Sequence, residues 1–62
     1  MKKALEAAFN AQIERLYSVL SDSILAAAGD PAEIKAAEQR FKKGLEHAKA
    51  VRKRALELAG IS

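Results

Sequence analysis

The sequence predicts an all-α protein: a two-helix antiparallel hairpin that dimerises into a four-helix bundle. Three observations predict it. The composition is strongly helix-forming, one cluster of chain-turning residues stands near mid-chain, and the apolar stripes are wider than two helices can cover. Alanine, leucine, glutamate, lysine and arginine dominate the 62 residues, and all five have high intrinsic helix propensity. That length allows one domain, residues 1–62, near the lower limit for a chain that folds alone.

The first helix is predicted over residues 2–28. Its weakest stretch is Ser18 to Ser23, where Ser21, Asp22 and Ser23 lower helix propensity and could cap a new helix. The apolar spacing runs through this stretch unbroken, so one continuous helix is expected. Residues 29–31 then form the turn. Gly29 can adopt the left-handed conformation that ends a helix. Asp30 is a good N-cap, Pro31 suits the first helical position, and Glu33 completes a capping-box-like pattern. The second helix is predicted over residues 31–59. Gly60 ends it, with Ile61 folding back onto Leu56 in a Schellman motif.

Two stripes fit each other. Leu5, Phe9, Ile13, Leu16, Leu20, Ile24 and Ala27 follow an eleven-residue repeat, which favours nearly straight packing. Ile34, Ala37, Phe41, Gly44, Ala48, Val51, Ala55 and Leu58 follow a heptad, the seam of a coiled coil. Folding at the turn sets Ala27 against Ile34, Ile24 against Ala37, Leu20 against Phe41, Leu16 against Gly44 or Leu45, and Ile13 against Ala48. Large residues tend to face small ones, as interdigitating layers require. Gly44 costs about 1 kcal/mol relative to alanine inside a helix. Close helix approach, with Leu16 or Tyr17 filling the space, is the expected compensation; a hinge is the alternative.

The stripes also have flanks. Ala8, Val19 and Ala26 widen the first on one side, and Tyr17 and Ala28 widen it on the other. Leu45, Leu56 and Ala59 widen the second. Each apolar arc then spans roughly 160°, more than one hairpin seam needs and close to that of a bundle helix. Two hairpins back to back would bury the surplus. Tyr17, Val19, Leu45 and Leu56 are accordingly the expected oligomer-interface residues. The outline of two helices, a tight turn and a homodimer resembles the small RNA-binding Rop-type bundle. The resemblance is architectural, with no residue motif behind it, and implies no function.

The chemistry of catalysis is missing from the sequence. There is no cysteine, and the single histidine, His47, has no carboxylate at helical contact spacing and no second ligand. Glu38 pairs by spacing with Lys42, Glu46 with Lys42 and Lys49, and Glu57 with Lys53. The three glycines form no phosphate loop. No enzyme activity, catalytic residue, cofactor, metal or small-molecule ligand is therefore expected. Lys2 and Lys3 precede a short apolar stretch, but Glu6 and Asn10 interrupt it before it could serve as a signal peptide. The chain reads as cytoplasmic, with no membrane partner.

Charge is uneven. Residues 1–30 carry a net −1 and residues 31–62 a net +4, within an overall +3. Lys35, Lys42, Lys49 and Lys53 interleave with Glu38 and Glu46 as an ordinary solvated face. Arg40, Lys43, His47 and Arg54 form a second row with little acidic compensation. That row extends about 21 Å along the helix. No aromatic residue interleaves with it to stack on bases. On the far side of the first helix, Ala4, Ala7, Ala11, Ser18 and Leu25 make a small-residue strip interrupted by Glu14.

These features predict a small non-enzymatic interaction protein. It would be an adaptor, regulator or assembly factor that acts by self-association, a dimer being favoured, or by docking a partner helix. The alternative is a nucleic-acid-binding homodimer, for RNA or DNA, contacting its target through Arg40, Lys43, His47 and Arg54. A third reading is a subunit of a larger helical complex, stable only with its cognate helix.

Overall fold

The computed structural model describes residues 1–61. Two helices, α1 (Lys2–Ala27) and α2 (Pro31–Leu58), pack against each other as a hairpin. The molecule measures 45 × 15 × 9 Å, one helix thick in its shortest dimension. α1 continues through Ser21, Asp22 and Ser23 without a break, as the apolar spacing predicts.

Each helix ends one residue earlier than the sequence suggests, and the turn has a different left-handed residue in front. Ala28 (φ 49°, ψ 42°) caps α1 in the left-handed region, and Gly29 (φ 86°) follows in the same region. The sequence assigns this conformation to Gly29 alone. An alanine there costs on the order of 1 kcal/mol. Two bonds hold it: the Ala28 N–H donates to the Leu25 carbonyl at 3.2 Å and the Asp30 N–H to the Ala27 carbonyl at 3.0 Å. The second of these also corrects the capping box. Because Ala27 already accepts from the Asp30 N–H, the Glu33 side chain has no orphan donor to satisfy there. Asp30 itself caps as predicted, its Oδ1 accepting from the Ala32 N–H at 3.0 Å and the Glu33 N–H at 3.5 Å. The other end of α2 forms the expected Schellman motif. Gly60 has φ 75°, its N–H donates to the Glu57 carbonyl at 3.0 Å, and the Ile61 N–H donates to the Leu56 carbonyl at 2.8 Å.

The predicted register holds. An ideal Cβ placed on Gly44 would lie 2.6 Å from Leu16 Cδ2, so Gly44 is where a leucine presses against a helix backbone. Leu16, not Tyr17, fills that space. Leu20 and Phe41 line one inter-helix groove. Towards the chain ends, the Arg52 guanidinium stands 5.3 Å from the centre of the Phe9 ring.

The seam of α2 departs from its heptad. Val51 and Leu58, two of its predicted members, are 47% and 72% exposed. Arg52 and Leu56 are half-buried instead. Besides Ile34, the residues turned inward are Ala37 and Ala48, Phe41 and Arg52, Gly44 and Ala55, and Leu45 and Leu56. Each pair is eleven residues apart, the same repeat that α1 follows. A heptad drifts about 20° per repeat around a straight α-helix. Against a partner with an eleven-residue stripe, the Ala37, Gly44, Val51, Leu58 half of the heptad rotates off the seam by Val51, while Phe41, Ala48 and Ala55 stay on it. On α1 the stripe stays on the seam, with Ile24 at its exposed edge.

What the hairpin encloses is small. The only buried hydrophobic residues among those described are Ala27, Ala37 and Ala48, and no large side chain is fully buried.

Candidate interaction surfaces

The hairpin has two broad faces, separated by the seam, and they differ in construction. On the first, three grooves open between the helices. One of about 70 Å³ is lined by Val19, Ser23, Arg40 and Phe41 among others. A neighbour of about 280 Å³ near the turn has Ala26, Glu33, Ala36 and Arg40. The third, about 180 Å³, lies towards the chain ends between Ala8, Gln12, Val51 and Ala55, with Phe9 and the stem of Arg52 at its floor. Ala8, Val19 and Ala26 follow one another at eleven and seven residues, so they share one azimuth of α1 within about 20°. Val51 and Leu58, seven apart, likewise share one side of α2. The residues displaced from the α2 seam therefore face outward on this grooved face. Val19 adds a third large apolar side chain, 59% exposed.

The opposite face is bridged. Arg52 Nε donates to Glu6 Oε1 at 3.1 Å, and Nη2 reaches the same oxygen, tying α2 to α1 across 46 residues of sequence. Both side chains are about one-third exposed. With the Phe9 ring under the guanidinium, the pair stabilises this end by about 1 kcal/mol. Tyr17 lies on this side, 67% exposed, because residues two apart on a helix point about 160° away from each other. Leu45 and Leu56 are already half-buried within the hairpin.

The four expected interface residues are therefore not one patch. Val19 belongs to the grooved face, Tyr17 to the bridged face, and Leu45 and Leu56 to the hairpin's own packing. Val51 and Leu58, which the sequence places in the seam, are instead the exposed apolar residues of α2. The signal that could have found them is the second repeat in α2, where Ala37/Ala48 and Gly44/Ala55 put the smallest residues eleven apart.

Arg40, Lys43, His47 and Arg54 are all exposed. They form a row along the α2 edge of the grooved face, with Arg40 reaching into two of the grooves. Arg54 lies 3.8 Å from Glu57, so this end of the row is partly neutralised by its own helix. Leu25 stands out on the far side of α1. Among the described residues no group of three or more histidines, cysteines or carboxylates could hold a metal ion, and no helix is long and apolar enough to cross a membrane.

Comparison with protein-family models, curated proteins and solved structures finds no match to this chain.

Proposed function

We propose that this protein is a non-enzymatic interaction module that works by self-association, its hairpin forming half of a four-helix bundle. The observation that carries this reading is the unfinished core. A compact monomer of this mass, 6.7 kDa, exposes about 3,900 Å², whereas the hairpin exposes 4840 Å². The surplus of about 900 Å² is close to the roughly 800 Å² that each partner contributes to a stable interface. With three alanines buried among the described residues and the large apolar side chains of the seam only half-covered, the hairpin gains little to offset the ordering of two long helices. Adding two more helices completes layers that the hairpin only half builds. In this role the chain would serve as an adaptor, regulator or assembly factor, presenting its polar surfaces from a rigid bundle.

Sedimentation equilibrium over a wide concentration range, at moderate salt, tests the reading. A mass of two chains, with helicity that falls on dilution, is the expected result. A well-folded, cooperatively melting monomer at every concentration would overturn it.

A further inference from the structure

The proposed self-association leaves open which surface is used, and the two faces of the hairpin are not equivalent. We infer that a second copy of this chain docks on the grooved face, with α1 of each copy against α2 of the other and both turns at the same end. This inference rests on the self-association reading and specifies its geometry.

Three observations choose the face. All three inter-helix grooves open there, so the hairpin presents furrows on this side into which a partner's side chains can insert. The side chains standing out beside those furrows are Val19, Val51 and Leu58, joined by the small Ala8, Ala26 and Ala36. The bridged face, in contrast, carries the Arg52–Glu6 pair between its helices. It is also edged by Lys35, Lys42, Lys49 and Lys53, all exposed. Covering those charges would strip their hydration with few partners to replace it. The grooved face is edged by a cationic row of its own, Arg40, Lys43, His47 and Arg54, but among the described residues no ion pair ties its two helices together, and the long stems of Arg40 and Glu33 can lie along a groove and carry the charge to its rim.

Charge chooses the orientation. Large-against-small packing is met in either arrangement. With turns at opposite ends, α2 lies on the partner's α2 and the rows of Arg40, His47 and Arg54 run beside each other. With turns at the same end, each α2, from the half of the chain with net +4, lies on an α1 from the half with net −1. The hairpin register then sets Val19 at the level of the partner's Lys42, between Arg40 and Gly44, Ala8 near the partner's Val51, and Asp22 near the partner's Arg40. The two cationic rows are then kept apart, and each lies over an α1 whose charges on this side are Arg15 and Asp22.

Two measurements on the full chain test the inference. Val19→Lys should weaken association about 100-fold by burying a charge in the interface beside the partner's Arg40. It would be read as loss of dimer mass, with helicity recovered at high concentration. Tyr17→Asp should leave the dimer intact. If Tyr17→Asp dissociates the dimer and Val19→Lys does not, the assigned face is wrong while self-association stands. If the unmodified chain is a monomer throughout, the broader reading falls with it. The chain has no cysteine, so Ala32→Cys gives a unique position for a spin label on the exposed side near the turn. Turns at one end place two such labels about 25 Å apart, and turns at opposite ends about 40 Å. The shorter distance is expected, and the longer one would overturn the orientation.

Discussion

α1 and α2 are helices of similar length and similar apolar content, yet they meet the seam differently. In α1 the stripe from Leu5 to Ala27 stays near the seam over its whole length, and only Ile24 edges out of it. In α2 two stripes overlap. The heptad of Ile34, Ala37, Phe41, Gly44, Ala48, Val51, Ala55 and Leu58 carries more large residues. The eleven-residue set of Ala37, Phe41, Gly44, Ala48, Arg52 and Ala55 is the one turned inward. The difference shows that a helix's own pattern does not decide which face it buries. Its partner's pattern does. α1 offers an eleven-residue repeat only, and the closest approach, Leu16 on Gly44, fixes the pairing at mid-length. From there Ala48 and Ala55 stay on the seam while the other half of the heptad, Val51 and then Leu58, rotates outward, leaving Leu58 in water and a charged Arg52 over a phenylalanine ring. The residues lost from the seam become the apolar part of the surface proposed for association.

This contrast can be broken at its centre. Leu20→Asp sets a charge beside Phe41 and should abolish the fold, read as loss of the helical circular-dichroism signal at every accessible concentration. If the variant stays helical, the register described here is not the one in solution. Gly44→Val is the next largest effect. Its branched Cβ must displace Leu16 and separate the helices, which overpacks the mid-point at a cost of about 2 kcal/mol in denaturant unfolding. A neutral result would mean that α2 can rotate to its heptad face.

Arg52→Ala removes both the Glu6 pair and the contact with Phe9, and should cost about 1 kcal/mol, less at high salt. A salt-independent loss would show that the arginine acts through its aliphatic stem alone. Leu25→Asp, on the far side of α1, should change stability by no more than about 0.5 kcal/mol. A loss of several times that amount would reveal a third packed surface and move the comparison away from the seam.

Much of this was legible in the residues. Asp30 capping α2 through the Ala32 and Glu33 N–H groups, the Gly60–Ile61 Schellman turn, the unbroken helix through Ser21–Ser23 and the pairing of Leu16 with Gly44 all follow from short-range chemistry and spacing. The interface residues were harder to place. Tyr17 and Val19 widen opposite sides of the α1 stripe already in the sequence, but only the packed pair shows which side carries the grooves and which the Arg52–Glu6 bridge. Leu56 and Leu58 are two residues apart on one helix. Nothing local distinguishes the half-buried one from the exposed one.

The sequence by itself determined two helices, the turn between them and their antiparallel pairing, because caps, turns and apolar period act within a few residues of chain. The tertiary structure decided which of the two α2 stripes is buried, that Ala28 joins Gly29 in the left-handed region, and that Glu6 holds Arg52 across the helices. Those outcomes depend on the shape and repeat of a partner surface dozens of residues away, which no property of the local segment encodes.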